Sequence, residues 1–196
     1  EIITSDWSSD VCSSDLGVKY CFMEVSSHGI DQHRTEGLQF AGGIFTNLTR
    51  DHLDYHKTFA TYRDVKKRFF DALPVTAFAL VNNDDKNGAF MLQNTKAQKK
   101  TYALKTYSDY KAYIIESRFD GLLLRINQHE VWTKLIGEFN AYNLLAVYAT
   151  ATLLGIDEID ALTLISAIEP VAGRFQYAEL PRSEERREGK SVDLGG

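Results

Sequence analysis

Asp51, His52, Asp54 and His56 stand within one six-residue stretch at the end of Phe45-Thr-Asn-Leu-Thr-Arg-Asp-His-Leu-Asp-Tyr-His56. The apolar run Ala41-Gly-Gly-Ile-Phe-Thr46 precedes them. Imidazole nitrogen and carboxylate oxygen both ligate divalent cations, and hard oxygen donors favour magnesium or manganese. The spacing is too tight for a Ser/His/Asp triad, and it fits a polar loop with capping aspartates equally well. Upstream, Tyr20-Cys-Phe-Met-Glu-Val-Ser-Ser-His-Gly29 repeats the arrangement, with Glu24 inside an apolar stretch and Ser26, Ser27 and His28 at its exit. A carboxylate in a buried strand needs a cation or a hydrogen-bonding partner, so either a metal ion or a nearby Lys or Arg would satisfy Glu24.

These groups need elements to carry them. Val18–Val25 and Gly42–Leu48 are expected as buried strands, each delivering polar groups to a sheet edge, where open α/β sheets bind ligands. Ser27–Gln39 is polar enough for a short helix or a substrate-facing loop. Thr58–Leu73 has helical spacing, with Phe59, Tyr62, Val65, Phe69 and Leu73 three or four apart and Pro74 ending it. Ala77–Val81 is a short strand followed by the turn-rich Asn82-Asn-Asp-Asp85. A helix from about Lys86 to Asn94 and a strand at Thr101–Leu104 continue the alternation. Tyr113–Ser117, Leu122–Ile126 and Val131–Leu135 are separated by Asp120-Gly121 and Asn127-Gln128, the turn signals of an antiparallel meander. Glu138–Leu154 is a helix closed by Gly155, and a last helix runs from Ile156-Asp157-Glu158 to about Ile168. The fold class is α/β: a mostly parallel sheet with flanking helices plus a small antiparallel meander.

At 196 residues, 44% hydrophobic and 25% charged, the chain has the composition of a soluble globular protein. Its apolar stretches are far shorter than a membrane span, and no signal peptide is evident. Two cysteines, Cys12 and Cys21, make no disulfide framework, which fits a reducing compartment.

Both ends look foreign to the rest. Residues 6–16 lack any helical or strand period and contain Ser-Ser-Asp twice. One choice of codons for them reads as a sequencing-library adaptor, and Arg182-Ser-Glu-Glu185 can be coded as the reverse complement of part of it. Residues 1–16 and 182–196 are therefore expected to be artefactual flanks, the alternative being two polar tails, and 17–181 the native segment. The net charge of −5 argues mildly against a nucleic-acid partner. Residues 17–181 carry 18 Lys and Arg against 19 Asp and Glu, so within that segment the argument from acidity disappears.

Several motifs now stand in order. Met23-Glu-Val-Ser-Ser-His-Gly-Ile-Asp-Gln-His-Arg34 is followed by Phe45–His56, then by Tyr62-Arg-Asp-Val-Lys66 with Phe69-Phe70. Further on come Gly137-Glu-Phe-Asn-Ala-Tyr-Asn143 and Pro170-Val-Ala-Gly-Arg174. Together they resemble the Mur ligases, over essentially all of residues 17–181. Glu-Val-Ser-Ser-His-Gly singles out the branch that adds the third amino acid to UDP-N-acetylmuramoyl-L-alanyl-D-glutamate.

The resemblance implies an incomplete central ATPase domain of a cytoplasmic amide ligase of peptidoglycan synthesis. In that family ATP phosphorylates the substrate carboxylate, an amine attacks the acyl phosphate, and magnesium steadies the charge. Glu24, His52 and Lys66 match its metal ligands, Lys66 as a carbamate, and His52 and Lys66 match catalytic positions. Ser26, Gln32 and Arg34 match residues holding the UDP-linked muramoyl dipeptide, and a guanidinium suits such an anion. Asn140, Asn143 and Arg174 match nucleotide-proximal positions, with Phe139 beside them. Without the resemblance, Lys66 in Lys66-Lys67-Arg68 would read as part of a solvated helix face, and Asn140 as a helix cap. With it, Lys66 is expected to point inward and its neighbours outward. The implied partners are the UDP-N-acetylmuramoyl dipeptide, ATP and a diamino acid, with neither nucleic acid nor membrane.

The family's Gly-rich phosphate loop is not found in the chain, and residues 17–181 contain no Gly-x-x-Gly-Lys. Nor are the uridine-binding and carboxy-terminal domains present, so this piece alone is expected to be inactive and, with an open apolar edge, poorly soluble. Two other readings remain: another ligase of the superfamily, such as a folylpolyglutamate or D-alanyl-D-alanine-adding enzyme, and a non-catalytic nucleotide-sugar binding module. Ser26-Ser27-His28 with Gln32 and Arg34 speaks against the first, and Glu24, His52 and Lys66 together speak against the second. The choice between lysine and meso-diaminopimelate stays open here.

Overall fold

The structure, a computed structural model, describes residues 19–49 and 53–170. Its elements in chain order are α1 (Ser27–Asp31), β1 (Gly42–Phe45), α2 (Leu53–His56), α3 (Phe59–Asp71), β2 (Phe78–Asn82), α4 (Gly88–Met91), β3 (Gln98–Ala103), β4 (Tyr110–Arg118), β5 (Gly121–Ile126), β6 (His129–Thr133), α5 (Glu138–Leu153) and α6 (Glu158–Ser166). The strands form one sheet in the order β1-β2-β3-β4-β5-β6. The first four pair in parallel and the last three antiparallel. The expected meander is thus joined to the parallel sheet, because Tyr102 and Ala103 pair with Tyr110 and Lys111 and β4 carries the sheet onward past the end of β3.

β2 explains why the sheet needs helices on both sides. All five of its residues are buried, and their side chains alternate between two cores. Phe78 and Leu80 join Tyr102, Leu122, Leu124, Leu144 and Leu145 under α5 and α6. Ala79 and Val81 join Phe45, Val65, Phe69, Phe70 and Met91 on the opposite face. Removing a side chain such as Leu80 completely from water contributes roughly 1.5–3 kcal/mol.

The helices start and stop where their chemistry requires. Thr58 caps α3, its hydroxyl accepting from the Thr61 N–H at 3.1 Å, and the helix ends before Pro74. The Asp157 carboxylate caps α6 by accepting from the Ile159 N–H at 2.9 Å. α5 leaves one exposed stripe, Phe139, Asn143 and Val147, at four-residue spacing. Its C-terminal turn is closed by Gly155, whose φ of +86° favours glycine.

Two expectations are corrected. Residues 19–25 form no strand and are exposed or half-buried. Their apolar run predicts a buried strand only if another strand pairs with it, and among the described residues none does. Glu24, expected inside a strand, is accordingly exposed. The helix expected over Lys86–Asn94 shrinks to the four residues of α4.

Candidate functional site

Because β1, β2 and β3 run parallel, their C-terminal ends, at Phe45, Asn82 and Ala103, share one edge of the sheet. The Tyr102 hydroxyl ties two of these strands together at that edge by donating to the Phe45 carbonyl at 3.4 Å. Two groups of sequence-selected residues flank it.

On one side stands α3. Tyr62, Val65, Phe69 and Phe70 are buried against the sheet, and this face brings Lys66 with it. Lys66 lines a small pocket with Val25, Ile30, Thr46, Asn47, Phe69 and Phe70, and its Nζ lies 5.7 Å from the centre of the Tyr62 ring. The inward expectation for Lys66 therefore agrees with the geometry; the outward expectation for Lys67 does not. Lys67 is buried, 6% exposed, with its Nζ 2.5 Å from Asp71 Oδ1 and 5.6 Å from the centre of the Phe90 ring. A step of about 100° around the helix takes a side chain off the sheet-facing side. It does not take Lys67 into solvent, because α4 packs there.

The short helix α1 approaches the same pocket. The Ser26 hydroxyl accepts from the Gly29 N–H at 3.0 Å and so caps it. Gln32 and Arg34 follow its end and are exposed; the Arg34 N–H donates to the Gly29 carbonyl at 2.8 Å. Two joints seat α1. Ser27 and His56, both buried, hydrogen bond through Oγ and Nε2 at 2.8 Å. Asp31 accepts from Arg68 at 2.6 Å and from the Tyr55 hydroxyl at 3.0 Å. Those bonds, Arg68 first and Tyr55 next, hold its carboxyl below the ordinary carboxylate range. Sequence spacing offered His56 as a possible metal ligand; here it makes a buried joint with Ser27.

On the other side of the edge α5 begins at Gly137, not at Asn140 as its capping residue. Gly137 has φ +88°, and a Cβ there would lie 2.7 Å from the Phe139 ring. Asn140 Nδ2 donates back to the Ile136 carbonyl at 2.8 Å, and Asn143 Nδ2 to Asn140 Oδ1 at 3.4 Å. Lys105 pairs with Glu138 at 2.7 Å across the mouth of this turn.

His52 and Arg174 lie outside the described residues, so of the expected set Glu24, His52 and Lys66 the geometry describes only Glu24 and Lys66. Among the described residues no three His, Cys, Asp or Glu side chains come together as a metal site. Lys66 fits a divalent cation only after conversion to an anion, since an ammonium repels one. Glu24 immediately precedes Val25, which shares the Lys66 pocket.

A sheet edge flanked by a lysine-bearing helix and an asparagine-bearing helix N-terminus defines an α/β domain of the ligand-binding kind. The Mur ligase middle domain family matches residues 12–151. The chain is 57% identical over 169 residues to the UDP-N-acetylmuramoyl-L-alanyl-D-glutamate–2,6-diaminopimelate ligase of Bacteroides thetaiotaomicron. It is 58% identical over 169 residues to the protein of the same name from Phocaeicola vulgatus. Each match covers 86% of this chain and 35% of the relative, so the chain spans about a third of the length of the curated relatives it matches. A solved structure of a ligase of that name superposes with TM-score 0.71 at 29% identity, over 82% of this chain and 34% of that one. A MurF structure from Acinetobacter baumannii shares the fold, with TM-score 0.64 at 20% identity, over 74% of this chain and 32% of that one. The chain belongs to the Mur ligase middle domain family.

Proposed function

We propose that this chain is the central part of an ATP-dependent amide ligase that adds a diamino acid, as the third residue, to UDP-N-acetylmuramoyl-L-alanyl-D-glutamate. The observation that carries the reading is Lys66, turned into the pocket at the strand edge beside Val25, Thr46 and Asn47. The names of the relatives favour 2,6-diaminopimelate over lysine.

The proposed reaction has two steps. The glutamyl carboxylate attacks the γ-phosphorus of ATP, giving an acyl phosphate and ADP. The incoming amine then adds to the acyl carbon, loses a proton, and expels inorganic phosphate as the amide forms. Magnesium, when bound, would offset negative charge on the phosphates. Glu24, His52 and a carbamate of Lys66 are its proposed ligands. The Lys66 carbamate forms when the neutral amine takes up carbon dioxide and releases a proton. Ser26, Gln32 and Arg34 would hold the UDP-linked dipeptide, and Asn140, Asn143 and Arg174 the nucleotide.

The exposure of Gln32 and Arg34 suits groups that meet a large anionic substrate from solvent. A cytoplasmic location is part of the proposal; no helix among the described residues is long and apolar enough to cross a membrane. The test is ATP-dependent amide formation by a full-length protein containing this segment, with diaminopimelate and lysine offered separately. Product with diaminopimelate is expected; ATP consumption with neither amine joined would refute the reading.

A further inference from the structure

The turn after β2, Asn82-Asn-Asp-Asp85, lies between the two flanks of the strand edge and contacts both. Asp85 faces the β1 side: its Oδ2 accepts from the Leu48 N–H at 3.2 Å, and its Oδ1 from Asn87 N at 2.7 Å and Asn87 Nδ2 at 3.0 Å. Asp84 faces the other side. Its Oδ2 accepts from Leu104 N at 2.8 Å, Lys105 N at 2.9 Å and the Tyr142 hydroxyl at 2.9 Å, while Oδ1 accepts from Thr106 N at 2.8 Å. One carboxylate therefore gathers three successive amides of the loop leaving β3 together with a phenol from α5. The turn is tightly seated: the Asp84 N–H donates to Asn82 Oδ1 at 3.0 Å, and a Cβ on Gly88 would lie 2.2 Å from the Asn82 carbonyl oxygen.

We propose that Asp84 is a positioning residue for nucleotide binding: through Tyr142 and the 104–106 amides it fixes the start of α5, where Asn140 and Asn143 stand. The proposal rests on the reading of those two asparagines as nucleotide-facing. Tyr142 lies between them in sequence, one residue before Asn143 and two after Asn140, and its hydroxyl bond to Asp84 holds the turn that carries both. Lys105, whose N–H Asp84 accepts, also reaches Glu138 in the first turn of α5 at 2.7 Å. Asp84 thus holds that turn by two routes. Burial favours the neutral carboxyl, but the amides of Lys105 and Thr106 and the Tyr142 hydroxyl outweigh it, and the group stays ionised far below the usual range. A permanent anion suits a fixed joint.

The test uses a full-length ligase containing these residues. The affinity for a non-hydrolysable ATP analogue is measured by calorimetry, beside KM for ATP and for the UDP-linked substrate. Asp84→Asn and Tyr142→Phe should each weaken the analogue and raise the ATP KM by about tenfold, the lower range for a lost hydrogen bond to a charged acceptor. The KM for the UDP-linked substrate should not change. Tyr142→Phe keeps the three amide contacts, so it separates positioning from folding. Asp85→Asn, which loosens the β1 side, should leave analogue affinity unaltered.

Wild-type analogue affinity in both Asp84→Asn and Tyr142→Phe would overturn the proposal if Asn143→Ala still weakens binding. Equal losses in the Asp84 and Asp85 variants, tracking their melting temperatures, would overturn it in favour of a purely structural turn. If Asn140→Ala and Asn143→Ala both bind normally, the nucleotide reading of α5 fails and takes this proposal with it.

Discussion

The two flanks of the strand edge are built differently. On the α5 side polar side chains tie down backbone and one another: Asp84 collects three loop amides and the Tyr142 hydroxyl, Asn140 reaches back to the Ile136 carbonyl, and Lys105 pairs with Glu138. On the α1 side the joints seat the helix itself, Ser27 with His56 in a buried bond and Asp31 with Arg68 and Tyr55 at the surface. The residues proposed to meet substrate there, Glu24, Ser26, Gln32 and Arg34, are exposed. The difference teaches that the side proposed to meet the nucleotide is organised in advance, which lowers the ordering cost of binding. The other side keeps polar groups at the surface for a larger ligand.

The first way to probe this comparison is to weaken what both flanks share. Leu80 is fully buried in β2, so Leu80→Ala should cost about 2–5 kcal/mol in urea unfolding and loosen both sides together. Selective loss on one side would mean that the flanks fold independently. Next comes Lys67, buried against Asp71 and Phe90. Lys67→Ala should destabilise by roughly 1–3 kcal/mol, because it removes packing and strands a partly buried carboxylate. Lys67→Met should lose less, and an unchanged urea midpoint in Lys67→Ala would show that this pair is inert.

Lys67 also shows where sequence reading stops. Helical spacing located α3, its Thr58 start and its end before Pro74, because apolar period and caps are local signals. It assigned Lys67 to solvent because nothing local announces α4 against that flank. The meander strands and α5 were legible for the same local reasons, in turn pairs and in Gly155. The strand expected at 18–25 failed because an apolar run reports burial but not the neighbour that must pair with it. Asn82–Asp85 read as a turn and no more, since the partners of Asp84 lie 20 to 58 residues away. The inward turn of Lys66 was legible through the motif that contains it, whereas His52 and Arg174 fall outside the described residues.

A smaller effect should appear with pH. Asp84 has a folded pKa below its unfolded value, so its contribution is present above about pH 4, the unfolded carboxylate range, and is lost as pH falls through the folded value. Acid unfolding of Asp84→Asn should therefore show a shallower fall below about pH 4 than the parent. Identical profiles would remove Asp84 from the acid-sensitive groups.

The most direct test of the central claim sets Lys66 beside Lys67 in a full-length ligase that contains this segment. Ligase turnover and urea stability are measured for Lys66→Ala and Lys67→Ala, with and without added short carboxylic acids. If a Lys66 carbamate serves the metal at the strand edge, Lys66→Ala loses most turnover while staying folded, and the acids partly restore it by occupying the vacant carboxylate position. Lys67→Ala loses stability but keeps its turnover where folded, and the acids do nothing for it. Equal loss of turnover from both, with no rescue of Lys66→Ala, would contradict the account and leave Lys66 as one cation of a basic helix.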